Sequence, residues 1–200
     1  MIRTMLSDTK LCEFIQSNIG KLPSPFPKPV LVILSGPPGS GKSHFSRALF
    51  NRMPIAIIES DTIRKSLFRP QTYSAMESKW LFTFCHSMIK YLMTKSIPVL
   101  FDATNLLEAN REHLYKIVDA SNGLMVIIKV EAPEELIYER LIQRENILSI
   151  DDNSSATWTI YRRMVKSMEP IKRKHLSVDT SKDINPMVET IVCKIKKSIN

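Results

Sequence analysis

Gly36, Gly39, Gly41, Lys42 and Ser43 fall within the eight residues Gly-Pro-Pro-Gly-Ser-Gly-Lys-Ser, in a chain that has only five glycines. Glycines at this density let successive backbone N–H groups turn inward around phosphate oxygens, and a helix opening behind them adds its partial positive charge. In the pattern GxxxxGK[ST] the lysine reaches the β- and γ-phosphates and the hydroxyl holds Mg²⁺. Lys42 is thus expected on the donor phosphates and Ser43 on the metal, with Gly36, Pro37, Pro38, Gly39, Ser40, Gly41 and His44 completing a site for ATP. The alternative is an ordinary strand-turn-helix connection. Context opposes it, because the motif follows the apolar run Val30 to Leu34 and opens a helical pattern.

Asp61 and Arg64 form a second pair. They follow the short apolar run Ile55 to Ile58 and stand three residues apart, one helical turn. A carboxylate at a strand's carboxyl end can take the proton of an attacking hydroxyl, and an arginine on the same helix face can grip an acceptor's phosphate. The competing accounts are that Asp61 caps its helix and that Arg64 is a solvated charge. Asp102 ends a third apolar run, Pro98 to Phe101, where a carboxylate can reach Mg²⁺ directly or through water. A turn-forming Asp is the alternative there. Thr104 and Asn105, just beyond it, are expected beside the acceptor with Arg64.

These residues need strands and helices in alternation. Met125 to Val130 and Leu176 to Val178 supply two more strand-like runs. Helical patterns cover about 43–51, 62–68, 74–94, 108–120 and 186–198, which together give an α/β doubly wound sheet. Leu11, Phe14, Ile15 and Ile19 recur at helical spacing before a connector with Pro23, Pro25, Pro27 and Pro29. Residues 1–28 are therefore expected as an N-terminal helix and proline-rich connector, and 29–200 as the main domain.

Composition narrows the partners. With 28 basic and 20 acidic residues the net charge is +8, which favours polyanions without choosing one. Cys12, Cys85 and Cys193 are scattered singly, arguing against a disulfide framework or a zinc site. Neither a signal-peptide-like stretch between Met1 and Gly20 nor a run of transmembrane length is present, so a cytoplasmic protein without membrane attachment is expected.

The segments GPPGSGKS (36–43), SDTIRKSL (60–67), FDATNLLEANRE (101–112), ERLIQR (139–144), YRRMVKSMEP (161–170) and VDTS (178–181) together resemble the zeta-toxin-like and polynucleotide-kinase-like P-loop kinases, above all the 5′-hydroxyl polynucleotide kinase domain. The resemblance spans about 31–181. It implies a three-layer P-loop NTPase fold with a five-stranded parallel sheet in the order 2-3-1-4-5 and a helical lid, here at about 139–165. It implies further that Asp61 is the general base, that Arg64 binds the acceptor phosphate, and that Arg140 and Arg144 are lid arginines over the donor. Those two, four residues apart on one helix face, could instead pair with Glu135 or Glu139. One departure is Thr62, where polynucleotide kinases commonly carry a second Asp.

The acceptor is less legible. Arg162, Arg163, Lys166, Lys172, Arg173 and Lys174 are opposed only by Glu169 between Tyr161 and His175, as phosphate contacts would require. A solvated helix face gives the same pattern. The expected function is ATP-dependent phosphoryl transfer to a hydroxyl, a polynucleotide 5′-hydroxyl first. A small-molecule kinase and a non-catalytic ATP-binding regulator are the alternatives.

Overall fold

The computed structural model describes residues 8–146 and 158–199, with side chains as far as 143 in the first segment. The apolar runs form β1 (Val30–Ser35), β2 (Ala56–Glu59), β3 (Val99–Asp102), β4 (Leu124–Glu131) and β5 (Leu176–Asp179). All pair in parallel, in the order β2-β3-β1-β4-β5. Parallel neighbours require crossovers, which the helices provide. They are α1 (Asp8–Ile19), α2 (Lys42–Phe50), α3 (Ser60–Leu67), α4 (Ala75–Thr94), α5 (Glu108–Ala120), α6 (Glu134–Asn146), α7 (Trp158–Lys166) and α8 (Asn185–Ile199).

Side chains alternate along a strand, so β1 feeds two cores. Leu31 and Ile33 join Ile63 of α3, Leu81 and Met88 of α4, and Leu114 of α5 on one face. Val30, Val32 and Leu34 join Phe45 and Leu49 of α2 and Val188 and Ile191 of α8 on the other. The result is three layers, helix-sheet-helix. The amphipathic α1 buries Leu11 and Ile15 in the first of these cores, with Phe14 edge-on to Phe84 at 4.9 Å. A small third cluster of Ile137, Leu141 and Tyr161 joins α6 to α7, with Trp158 stacked on Tyr161 at 4.7 Å.

Two strand ends differ from the sequence expectation in a way that matters. β2 and β3 each continue one residue further, because Glu59 and Asp102 still pair across the sheet. Both carboxylates are thereby fixed at the sheet's carboxyl edge. That edge is where an open α/β sheet leaves its crevice, beside the strand at which the order reverses.

Candidate active site

The glycine-rich loop joins β1 to α2. Gly39 and Gly41 adopt left-handed φ values of 78° and 91°, favoured for a residue without Cβ. Space forbids a side chain as well. A Cβ on Gly41 would lie 2.7 Å from Thr180 Oγ1, and one on Gly39 2.9 Å from Ile137 Cγ2. The loop is therefore held between the end of β5 and α6. No side chain caps α2 and no acid stands in its first turn. Its leading N–H groups, with Lys42 among them, suit an anion. Lys42 Nζ donates to Pro37 O at 2.9 Å. His44 is exposed in the first turn, while Pro37, Pro38 and Ser40 are buried.

Arg140 reaches this loop from α6. Its Nη1 donates to Gly39 O at 3.1 Å and Thr180 Oγ1 at 2.9 Å, and its Nη2 to Thr180 O at 3.1 Å. Thr180 Oγ1 in turn donates to Ser40 O at 2.8 Å. The guanidinium thus ties α6 to the loop. The Arg144 side chain lies outside the described residues.

Two carboxylates, Glu59 and Asp102, gather beside Ser43, with Asp61 within electrostatic reach of both. Glu59 and Asp102 are register partners, and Ser43 Oγ lies 3.5 Å from Glu59 Oε1. Thr62 Oγ1 donates to Glu59 Oε2 at 2.7 Å. Burial pushes the Asp102 carboxyl up to about 6, Lys42 opposing and the Glu59 charge adding to it. Asp61 is likewise raised by burial, against the pull of Lys42 and then Arg64. The cap of α3 is Glu59 rather than Asp61, so the capping account of Asp61 fails. Glu59 was not singled out from sequence; its signal was its place as the last residue of a strand, directly before Ser60-Asp61.

The hydroxyl of Ser43 with the carboxylates of Asp102 and Glu59 is a hard oxygen donor set that fits Mg²⁺. Among the described residues no three His, Cys, Asp or Glu side chains could hold a metal by themselves. Mg²⁺ commonly takes one or two carboxylates and leaves its other positions to phosphates and water.

The surroundings of Arg64 and Thr104 are more constrained than expected. Arg64 is buried rather than solvated, paired with Glu77, 3.4 Å from Ser78 Oγ and 4.7 Å from the Tyr73 ring centroid. Burial works to raise Glu77, but hydrogen bonds from the Thr72 N–H and hydroxyl and from Arg64 hold it at about 2. Thr104 is half-buried, and its carbonyl accepts the Gly36 N–H at 3.0 Å. Asn105 must be corrected. It is fully buried, and its Nδ2 donates to Leu34 O at 2.7 Å, so it braces β1 instead of facing an acceptor.

Arg111 is a further residue that sequence reasoning passed over. Fully buried on α5, it donates to the carbonyls of Asn105 (2.6 Å), Leu106 (2.8 Å), Glu169 (2.9 Å) and Pro170 (2.8 Å), and to Glu108. It joins the Thr104–Leu107 turn to the segment after α7. Of the basic stretch, Arg173 is bound bidentately to Asp119, whereas Arg162, Arg163, Lys166 and Lys174 are exposed.

The AAA_33 family model, described as AAA domain, matches residues 31–171, which include the loop, all three carboxylates, Arg64 and Arg140. The chain belongs to this AAA domain family. A curated relative of this AAA domain is an L-seryl-tRNA(Sec) kinase from Methanococcus maripaludis, 29% identical over 117 residues, which cover 58% of the chain but only 46% of that protein. Among solved structures, Chaetomium thermophilum Kti12 in complex with ADP-AlF3 aligns at a TM-score of 0.69 with 16% identity, covering 85% of this chain and 99% of that one. Mycobacterium tuberculosis APS kinase CysC with AMPPNP and APS aligns at 0.66 with 15% identity and the same coverage. A gluconokinase from Sinorhizobium meliloti 1021 aligns at 0.60 with 14% identity, over 88% and 95%. These likenesses establish the P-loop kinase fold. Among the described residues no helix is long and apolar enough to cross a membrane.

Proposed function

We propose that this AAA domain is an ATP-dependent kinase of the polynucleotide-kinase-like type, moving the γ-phosphoryl of ATP to a hydroxyl carried on a nucleic acid. The observation that carries the reading is Asp61. It is half-buried on the first turn of α3 at the sheet's carboxyl edge, within the electrostatic reach of Lys42 and Arg64, and burial raises its carboxyl above the ordinary value, the direction a general base needs.

In this reading the loop amides and Lys42 bind and neutralise the donor phosphates. Ser43, Asp102 and Glu59 hold Mg²⁺, which supplies charge neutralisation at the phosphates when bound. Asp61 accepts the hydroxyl proton, and Arg64, held by Glu77 against Tyr73, orients the acceptor. Arg140 fixes α6, the proposed lid helix, on the loop and so helps exclude water, and Arg144 is proposed as the second lid arginine. Catalysis is then mostly positioning and electrostatics, as phosphoryl transfer requires.

Two things support a nucleic-acid acceptor: the motif resemblance to 5′-hydroxyl polynucleotide kinases and the tRNA-linked substrate in the name of the curated relative. A small-molecule hydroxyl is the second reading, favoured by the APS kinase and gluconokinase likenesses in fold. The discriminating experiment is transfer of labelled γ-phosphate to a panel of 5′-hydroxyl oligonucleotides, aminoacylated tRNA, nucleosides and sugars. Label on the nucleic acids alone supports the first reading. Label only on nucleosides or sugars overturns it.

A further inference from the structure

A groove of about 1540 Å³ runs between α4 and α5. One end lies at the candidate transfer site. Thr104, bonded through its carbonyl to the first glycine of the loop, lines it, as does Ser78, whose hydroxyl is 3.4 Å from Arg64 Nη2. From there the wall of α4 presents Lys79, Phe82, His86 and Lys90 at three- and four-residue steps, a single helix face. At 1.5 Å per residue the wall from Ser78 to Thr94 is about 24 Å long. The facing wall of α5 contributes His113 and Lys116.

Size and charge choose the occupant. Small-molecule pockets are commonly about 300–1,000 Å³, so a metabolite would leave much of this groove unused. Lys79, Lys90 and Lys116 are exposed, and among the described lining residues the only acid is Asp8. Between the lysines lie rings. Phe82 packs edge-on to Phe101 at 6.1 Å, and His86 lies 5.6 Å from His113. Ammonium groups interleaved with aromatic rings along a groove suit a polyanion whose bases can stack, which is the chemistry of single-stranded nucleic acid.

We infer that the α4–α5 groove is the track along which a single-stranded nucleic acid lies while its hydroxyl end reaches Asp61. The inference rests on the nucleic-acid reading above and adds where the rest of the strand goes. It makes Lys79, Lys90 and Lys116 phosphate contacts, about 0.7 units of salt slope each for a single strand.

The test is fluorescence anisotropy of a short labelled single-stranded oligonucleotide at low and physiological salt, without ATP. Three proteins are compared: the wild type, K79Q/K90Q/K116Q, and K194Q/K196Q/K197Q. The second variant loses the same charge from exposed positions on α8, which packs on the opposite face of the sheet. The groove variant should bind roughly tenfold or more weakly at low salt, with a log–log salt slope smaller by about 2. The α8 variant should bind as the wild type does. Equal losses in both variants, no binding by the wild type, or preference of the groove for polyglutamate over the strand would each overturn the inference. Binding is read without turnover, so a strand that occupies the groove but never receives phosphate would defeat the kinase reading and leave the groove standing.

Discussion

Glu59 and Asp102 stand opposite one another at the ends of adjacent parallel strands, with the Ser43 hydroxyl 3.5 Å from the Glu59 carboxylate. Two carboxylates at one sheet edge repel, and burial raises the cost for Asp102, which is only 4% exposed. Lys42 relieves the arrangement with its positive charge, and the proposed Mg²⁺ would relieve it further.

Glu59→Gln should therefore raise the Mg²⁺ concentration needed for half-maximal phosphoryl transfer by about 10- to 100-fold, the usual effect of losing a supporting metal partner. Glutamine can still accept from Thr62, so the fold should survive. An unchanged Mg²⁺ requirement would mean that Glu59 serves only to anchor Thr62.

Arg111→Met should destabilise the domain by about 3–5 kcal/mol, since it strands the buried Glu108 carboxylate and four carbonyls, those of Asn105 and Leu106 buried, without their shared donor. Chemical denaturation measures the loss. A change below about 1 kcal/mol would show that the clamp between the Thr104–Leu107 turn and the segment after α7 contributes little.

Burial holds the His86 imidazole down at about 4, and His113 beside it acts in the same direction. Unfolded histidine titrates near 6.5, so between about 4 and 6.5 the unfolded chain binds the extra proton. The stability contribution is present above that window and lost as pH falls through it, by up to about 3 kcal/mol at 1.36 kcal/mol per unit. His86→Phe preserves a ring against Phe82 and Phe101, and removes an Nε2 that has no hydrogen-bond partner among the described residues. Its unfolding free energy should fall less than that of the wild type between about pH 7 and about pH 4. Parallel curves for the two proteins would count against this assignment.

The loop and the alternation of strands and helices were legible because they depend on local pattern: glycine density, an apolar run, a helical period. Glu59 was not, because its significance is its register with Asp102, a pairing between residues 43 positions apart. Arg111 was hidden for a similar reason. A charged residue within a helical pattern reads as surface until the carbonyls that surround it, from two distant segments, are known. Asn105 misled in the opposite direction, since a polar residue beside a strand end can face inward when a neighbouring strand offers a carbonyl, as Leu34 does here.

Whether Asp61 is the base of a phosphoryl transfer is decided by Asp61→Asn. ATP affinity and transfer to the best acceptor should be measured on the same preparation, with Lys42→Ala alongside. Asp61→Asn should keep nucleotide binding and lose transfer by about 10²-fold or more, the scale of general-base catalysis, while Lys42→Ala should lose both. Turnover by Asp61→Asn within a few fold of wild type would contradict the base assignment.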